Sequence, residues 1–166
     1  MLQNAEPLSS WLVAPVHLSK DALDEIERHA LEAYPEECCG AVLSVAGSDS
    51  VRRIRNIQNQ LYAEDPARNP RDARTAYFMD PKELFALLRE AEEQARPIHL
   101  FYHSHPEHGA YFSDEDQARA VAWDEPAYPG AGFLVLSVIA GAVEDRLAVT
   151  WDPQRGRFVD TDLVVD

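Results

Sequence analysis

The run CGAVLSVA, residues 39–46, restricts the fold of this chain more than any other segment. It is mostly apolar and has the length of a single strand, which favours a strand buried on both faces of a sheet. Along the rest of the chain, strand-like and helix-like patterns alternate. This alternation predicts an α/β fold.

Two helix starts are marked by capping residues. Ser19 is placed to cap a helix that ends at Tyr34-Pro35. The sequence DPKE has Asp80 as N-cap, Pro81 as the first helical residue and Glu83 in position to complete a capping box. The apolar stripes expected for these helices are Leu23, Ile26, Ala30 and Ala33 in the first and Leu84, Leu87, Leu88, Ala91 and Ala95 in the second.

The remaining patterns predict strands, one loop and a third helix. Residues 58–75 contain two prolines and several charges, so we expect an irregular loop, and loops of this length tend to be functional or disordered. A helix is expected from Asp114 to Trp123, with the Trp123 side chain packed on the sheet. The expected strands are residues 15–18, 39–46, 51–57, 76–80, 98–104, 133–139, 143–151 and 157–165.

Length and charge limit the classes of function. The chain has 166 residues, which suits a single domain over residues 1–166. Its formal net charge of −14 argues against nucleic acid and anionic membranes as partners, because both are bound through Lys and Arg, whereas a basic or neutral protein remains compatible. The N-terminal stretch has no basic region and too short an apolar run for a signal peptide, so we expect a cytoplasmic protein.

The two cysteines, Cys38 and Cys39, are adjacent in the sequence. A disulfide between neighbouring residues is strained, so no disulfide framework is expected. No CxxC pair is present to hold a structural zinc. We expect Cys39 to be buried at the start of the core strand and Cys38 to be partly exposed.

The segment HSHPEHGAYFSDED, residues 103–116, concentrates histidine and acidic side chains. Alternate residues of a strand point to the same face, so His103 and His105 would direct two imidazoles to one point just before Pro106 ends the ladder. Ser113 and Asp116 have the S-x-x-D spacing of a helix start, so Asp116 is either the capping partner of Ser113 or a third metal ligand. Two histidines and one carboxylate with an open fourth position are typical of catalytic zinc.

A hydrolytic zinc site also needs a general base that is not itself a ligand. Glu36 and Glu37 lie just before the apolar strand and are candidates if that strand neighbours the histidine strand. On an extended segment their side chains point in opposite directions, so only one of them can reach the metal.

The pattern H-x-H-P-x6-S-x-x-D resembles the JAMM motif of the MPN+ metalloprotease family. The upstream sequence PEECCG resembles the family's P-x-E-x-C-G form and aligns Glu37, rather than Glu36, with its catalytic glutamate. Together with AYFMDPKEL (76–84) and AYPGAGFLVLSV (127–138), the resemblance covers most of residues 16–140. The JAMM positions are filled by His103, His105, Pro106, Ser113 and Asp116.

This resemblance implies a zinc peptidase or isopeptidase with one Zn²⁺ per chain and a mixed β-sheet flanked by helices, related in fold to cytidine deaminases. It implies that His103, His105 and Asp116 hold the zinc, which lowers the pKa of a bound water. Glu37 would take the proton of that water and return it to the leaving amine, while the Ser113 hydroxyl stabilises the oxyanion.

The resemblance also implies the class of substrate. Family substrates are ubiquitin, ubiquitin-like proteins or bacterial sulfur-carrier proteins, which are cut after a terminal Gly-Gly. Residues 58–75 would then form a flap beside the active site that grips the extended tail of the substrate. The oligomeric state stays open.

Two other functions are compatible with parts of the sequence. A zinc deaminase would need H-x-E followed by P-C-x-x-C, but this chain has His105 in place of the glutamate and no CxxC. A non-catalytic scaffold of the same family is the second alternative, and the presence of every presumed site residue argues against it. Among the other histidines, we expect His108 to be a solvated loop residue, His99 to be packed or hydrogen-bonded, and His17 and His29 to be structural or on the surface.

Overall fold

The computed structural model describes residues 13–166. The N-terminal stretch on which the signal-peptide expectation rests lies mostly in residues 1–12, outside the described part. None of the helices in the described part combines the length and the apolar character needed to cross a membrane. The helices are α1 (Lys20–Ala33), α2 (Gln58–Glu64), α3 (Pro81–Glu93) and α4 (Asp114–Ala120). The strands are β1 (Val16–Leu18), β2 (Cys39–Val45), β3 (Ser48–Ile54), β4 (Ile98–Pro106), β5 (Val121–Ala122), β6 (Glu125–Pro126), β7 (Gly132–Ile139), β8 (Ala142–Asp152), β9 (Arg157–Thr161) and β10 (Leu163–Val165).

Six strands form the central sheet in the order β3-β2-β4-β7-β8-β9. The β4–β7 pair is parallel, and the other neighbouring pairs of this sheet are antiparallel. This mixed sheet with its helices confirms the predicted α/β class. Strand β4, which carries the predicted histidines, lies between β2 and β7 in the interior of the sheet.

The two faces of the central sheet bury different side chains, because successive residues of a strand point in opposite directions. On one face, Val42 and Tyr102 belong to the same buried cluster as Ile26 of α1, and we call this the α1 face. On the other face, Phe101 belongs to a cluster with Leu87 of α3, and we call this the α3 face. Residues 39–43 of β2 are buried on both faces, as the sequence predicts, whereas Val45 at the end of the strand is 45% exposed.

Helix α1 covers its face because its apolar residues recur at helical spacing. The Ser19 side chain accepts a hydrogen bond from the backbone N–H of Ala22 at 3.2 Å, which confirms the predicted cap. Ile26 and Ala30 are buried in the middle of the stripe. Leu23 and Ala33 are partly buried and pack against the same cluster at its margin.

The expected loop at residues 58–75 and the expected strand at 76–80 are wrong in part. Residues 58–64 form helix α2, whose sequence QNQLYAE contains good helix formers but no apolar stripe to reveal it. Residues 76–80 form a single bridge, between Asn56 and Met79, instead of a strand. The Asn56 side chain accepts from the Phe78 N–H at 3.0 Å and donates to the Ala76 carbonyl at 3.2 Å, so it replaces the partners that a ladder would provide.

Helix α3 begins where the sequence predicts but ends earlier. The Asp80 side chain accepts from the Lys82 N–H at 2.9 Å, with Pro81 at the first helical position. Glu83 does not complete a capping box, because its carboxylate accepts from the backbone N–H of Arg55 at 2.7 Å. Ala95 lies beyond the helix with a φ of 51° and is exposed, so it is not part of the buried stripe.

Helix α4 ends at Ala120, short of the expected Trp123. The chain then makes a tight hairpin between β5 and β6, with positive φ values of 56° at Trp123 and 62° at Asp124. The turn directs the Trp123 side chain outward, and it is 97% exposed. The expectation that Trp123 packs on the sheet is therefore wrong.

Candidate metal centre

Strand β4 brings His103 and His105 to the α3 face near its carboxyl end. Both rings are buried, and their Nε2 atoms are 3.2 Å apart. The Nδ1 atom of His105 is 2.9 Å from the Gly109 carbonyl oxygen. Because a carbonyl oxygen only accepts, the His105 proton lies on Nδ1, and its Nε2 presents a lone pair toward His103.

Glu37 reaches the same place from the neighbouring strand. Strands β2 and β4 are antiparallel with Cys39 opposite His103, so Glu37, two residues before Cys39, comes level with His105, two residues after His103. The backbone N–H of Glu37 donates to the Ala73 carbonyl at 2.7 Å, which holds the strand entry. Its Oε1 is 3.8 Å from His105 Nε2, and its buried Oε2 has no hydrogen-bond partner among residues 13–166.

Asp116 approaches from the first turn of α4. The Ser113 hydroxyl accepts from the Asp116 N–H, and the Asp116 carboxylate accepts from the Ser113 N–H, each at 3.0 Å. The same carboxylate oxygen is 3.4 Å from His103 Nε2. The capping box therefore orients Asp116 toward the histidine pair, and the two alternatives left open by the sequence are compatible.

The spacing of these atoms suits a small divalent cation. Ligand atoms bound tetrahedrally to zinc at about 2.0–2.1 Å lie about 3.3 Å from one another. The 3.2 Å separation of His103 from His105 and the 3.4 Å separation of His103 from Asp116 are close to this value. The three residues whose ligand atoms all lie within 4.8 Å of one another are Glu37, His103 and His105, whereas Asp116 contacts His103 alone at this short distance. Two carboxylates thus flank the pair, and the shorter contact belongs to Asp116.

The two carboxylates differ in charge state. Burial raises the pKa of Glu37 to about 8, and the negative charge of Asp116 adds to this shift. Burial also acts to raise the pKa of Asp116, but the contact with His103 and the hydrogen bonds from Ser113 outweigh it and lower the pKa to about 2. Burial lowers the pKa of His105 to about 4, with the neighbouring His103 acting in the same direction. Before a cation binds, these shifts give a neutral His105, an ionised Asp116 and a largely protonated Glu37 near neutral pH.

A cleft of about 130 Å³ opens beside these side chains. Arg71 and Arg74 line one wall of the cleft, and Arg119 of α4 lines another, although the whole chain has a net charge of −14. Arg71 forms an ion pair with Glu115 of α4, and Arg119 pairs with the same carboxylate at 2.8 Å. The residues after α2 therefore form one side of the cleft and contact the other side through Glu115.

Other candidate residues lie at or outside the margin of the centre. Glu36 is exposed, and its carboxylate accepts from the Asn59 side chain at 2.9 Å, away from the histidine pair. His108 lines the cleft, with Nδ1 at 2.9 Å from the Pro106 carbonyl oxygen. Cys38 is 2% exposed, so the expectation of a partly exposed thiol is wrong; its N–H donates to the Ser104 hydroxyl at 2.9 Å, and burial raises the thiol pKa to about 12.

Two tyrosines at the centre have no signal in the sequence. The Tyr77 ring stacks on His103 with centroids 4.5 Å apart and planes 27° apart. Tyr111 contacts His105, with centroids 4.6 Å apart and planes 54° apart. Tyr77 is far from the histidines in the chain and lies in a segment that reads as a strand, so only the tertiary structure reveals its contact.

The protein is an α/β domain in which two buried carboxylates flank a histidine pair near the carboxyl end of β4, in the central sheet. Residues 19–152 match the family model described as prokaryotic homologs of the JAB domain. This chain belongs to that family, and the resemblance to the JAMM/MPN+ proteins is confirmed.

Similar proteins match between 72% and 90% of the chain. A relative named Desampylase, from Haloferax volcanii, is 33% identical over 124 residues, which are 72% of this chain and 78% of the relative. The solution structure of a protein from Salinibacter ruber is 28% identical with a TM-score of 0.55, and the match covers 89% of this chain and 90% of that one. A protein from Desulfitobacterium hafniense shares the fold at 18% identity and a TM-score of 0.63, over 90% of this chain and 92% of that one.

Proposed function

We propose that this chain is a zinc-dependent peptidase or isopeptidase that cuts the bond after the C-terminal Gly-Gly of a ubiquitin-like or sulfur-carrier protein. The observation that carries this proposal is the pair of buried histidine Nε2 atoms, 3.2 Å apart, between two buried carboxylates of different charge state. Membership of the JAB family supports hydrolysis. The relative named Desampylase supports a ubiquitin-like modifier as the substrate.

His103, His105 and Asp116 are the proposed zinc ligands. Asp116 suits this role better than Glu37, because its carboxylate is 3.4 Å from His103 Nε2, is oriented by the capping box and is ionised. Zinc held by two histidines and a carboxylate supplies a Lewis acid that lowers the pKa of a water toward about 7 and polarises a carbonyl group.

Glu37 is the proposed general base. Hydrolysis adds a hydroxyl group to the carbonyl carbon, breaks the C–N bond and adds a proton to the departing nitrogen. In its ionised form, Glu37 can accept the proton of the attacking water on its buried Oε2, which has no partner among the described residues, and can deliver that proton to the departing nitrogen. A pKa raised to about 8 supports this role, since such a carboxyl exchanges protons near neutral pH.

Ser113 is the proposed donor to the oxyanion that forms on the substrate carbonyl. Its hydroxyl oxygen accepts the Asp116 N–H, and a hydroxyl has one donor hydrogen in addition to its acceptor sites. The donor therefore remains available on a residue that lines the cleft. Such a preorganised donor stabilises developing negative charge more than it stabilises the neutral carbonyl.

The substrate tail is proposed to lie in the cleft along the segment that follows α2. Arg71, Arg74 and Thr75 of this segment line the cleft. Two hydrogen bonds of the Ala73 backbone hold this segment. Its carbonyl oxygen accepts from the Glu37 N–H just before β2, and its N–H donates to the Asn59 side chain of α2 at 2.8 Å. This arrangement supports the prediction that residues 58–75 form a flap beside the active site. The segment after α2 forms a wall of the cleft, against which an extended peptide can lie.

The proposal is tested with a small β-grasp protein that ends in Gly-Gly and is fused to a reporter, in one substrate by a peptide bond and in another by an isopeptide bond. The wild-type protein should cut after the second glycine, stop cutting when a chelator removes the metal, and recover when zinc is added. Glu37→Gln should retain zinc and lose about 10²–10⁴-fold in kcat/KM, the usual contribution of a general base.

Glu36→Gln is the matched control, because Glu36 is the exposed neighbour of Glu37 and contacts Asn59 instead of the histidine pair. It should cut the fusion protein at nearly the wild-type rate. Equal cutting by Glu37→Gln and wild type would refute the role of Glu37. A wild-type protein that binds zinc but cuts neither fusion would favour the scaffold alternative.

A further inference from the structure

The two histidines of the centre differ in what holds their second ring nitrogen. His105 Nδ1 is 2.9 Å from the Gly109 carbonyl oxygen. His103 Nδ1 is buried and has no hydrogen-bond partner in the described part of the chain. Metal-binding histidines usually donate this N–H to a carboxylate, a carbonyl or a water, which fixes the orientation of the ring. His103 therefore needs another contact to hold its ring.

The neighbouring strands do not provide a strong polar contact for His103. Cys39 lies opposite it on β2 and Val135 lies opposite it on β7. The Cys39 thiol donates to the Ile54 carbonyl at 3.4 Å. The Tyr77 ring, by contrast, lies nearly parallel to the imidazole, with an angle of 27° and a centroid distance of 4.5 Å.

Tyr77 is itself held from both sides. Its carbonyl oxygen accepts from the Arg119 guanidinium at 2.7 Å, and the carbonyl oxygen of the preceding Ala76 accepts from the Asn56 side chain at 3.2 Å. The Arg119 guanidinium also lies 6.0 Å from the centroid of the Tyr77 ring. The backbone at Tyr77 is thus tied to α4, the helix that carries Asp116, and to the segment after β3, and this places the ring beside His103.

We propose that Tyr77 is a positioning residue for the zinc ligand His103, whose ring orientation is set by stacking on Tyr77 in place of a hydrogen bond to Nδ1. This inference rests on the proposed zinc site. Tyr111 occupies the corresponding position on His105, but there the Gly109 carbonyl already fixes the ring. Removal of the Tyr77 ring should therefore weaken zinc binding through His103. Removal of the Tyr111 ring should have little effect on zinc binding through His105.

The test compares the zinc affinity of metal-free proteins by competition with a chromophoric chelator at constant pH. Tyr77→Leu should bind zinc about tenfold more weakly than wild type, which is within the range for loss of an outer partner of a ligand. Tyr77→Phe keeps the stacked ring and should stay within about twofold of wild type. Tyr111→Leu, the matched control, should also stay within about twofold to threefold.

A second readout separates positioning from a loss of folding. The visible spectrum of the cobalt-substituted protein should change in Tyr77→Leu and return to the wild-type form in Tyr77→Phe, because it reports the geometry of the ligands. The unfolding midpoint of each metal-free variant identifies any variant that is unfolded in the assay. Tyr77→Met then replaces Tyr77→Leu, since it also lacks the ring but fills the space flexibly.

The outcomes distinguish this inference from the proposed function. Unchanged zinc affinity and an unchanged cobalt spectrum in a folded Tyr77→Leu protein would overturn the inference alone. Equal losses in Tyr77→Leu and Tyr111→Leu would also overturn it, because the difference between the two histidines would then have no consequence. A wild-type protein that binds no zinc would overturn the proposed function and the inference with it.

Discussion

Each face of the central sheet carries a histidine beside a tyrosine, but the two pairs are built differently. On the α1 face, His29 meets Tyr102 edge-on, and its Nδ1 is 2.8 Å from the Tyr102 hydroxyl. On the α3 face, His103 stacks on Tyr77, and its buried Nδ1 has no partner within residues 13–166. The first pair joins histidine Nδ1 to the tyrosine hydroxyl, whereas the second leaves histidine Nδ1 without a partner in the described part of the chain.

This difference separates the part of the molecule that stabilises the fold from the part that carries the site. A buried polar group without a partner costs roughly 1–3 kcal/mol. Glu37 Oε2 and His103 Nδ1 are both such atoms, and both lie at the histidine pair. The α3 face therefore gives up stability at the place where a ligand and a substrate are proposed to bind.

The largest expected effect tests the proposed site on the α3 face, and it is the loss of zinc affinity when the proposed ligand Asp116 is replaced. Asp116→Ala should lower zinc affinity by at least about 100-fold, because even loss of an outer partner lowers metal affinity by roughly 10–100-fold. Asp114→Ala is the matched control in the same helical turn, since Asp114 is exposed and contacts neither histidine. Chelator competition measures both. If Glu37→Gln loses zinc while Asp116→Ala retains it, the roles of the two carboxylates are exchanged.

A smaller effect is expected on the α1 face, from a substitution on the side of the sheet opposite the proposed metal ligands. Gly40 lies opposite Tyr102 in the β2–β4 ladder, and a Cβ at Gly40 would overlap the Tyr102 ring and hydroxyl. Gly40→Ala should lower the free energy of unfolding by about 1–3 kcal/mol, the usual effect of overpacking. Gly109→Ala is the control, since a Cβ there meets nothing within 4 Å.

Urea denaturation of the metal-free proteins measures both glycine variants. Gly40→Ala should unfold at a lower urea concentration than Gly109→Ala, with a similar dependence on denaturant. A Gly40→Ala protein as stable as wild type would show that Tyr102 moves without cost, and the closed packing of the α1 face would then be wrong.

The smallest expected effect concerns His29 on the α1 face and the way the free energy of unfolding depends on pH. Burial lowers the pKa of His29 from 6.5 to about 4, and the nearby Arg53 acts in the same direction. Between these values the unfolded chain binds more protons at His29 than the folded chain does, so the free energy of unfolding falls as pH decreases. The contribution is fully present above pH 6.5 and is lost toward pH 4.

His29→Gln should remove about 1–2 kcal/mol of this pH dependence, less than the full shift would give because the ring is partly exposed to screening solvent. Denaturation of wild type and His29→Gln at several pH values between 4 and 6.5 measures the difference. Identical slopes for both proteins would contradict the assignment of this pH dependence to His29.

The sequence predicted those parts of the fold that depend on local patterns. The Ser19 and Asp80 caps, the buried β2 run and the α/β class are confirmed, because capping and burial leave a direct signature in neighbouring residues. Helix α2 was hidden by the lack of an apolar stripe. The expected strand at residues 76–80 was wrong because the Asn56 side chain, distant in sequence, takes the Phe78 N–H and the Ala76 carbonyl, so that a single bridge forms in place of a ladder.

For the site, the motif and its spacing determined which residue types are available, and strand periodicity determined that His103 and His105 share a face. Register between β2 and β4 decided that Glu37 lies beside them, because which strands become neighbours depends on the packing of the whole sheet. Burial, which raises the pKa of Glu37 to about 8, and the stacking of Tyr77 on His103 likewise arise from contacts between distant segments. The sequence alone thus determined the candidate chemical groups, and the tertiary structure decided their distances and protonation, since both depend on which distant residues exclude water from the site.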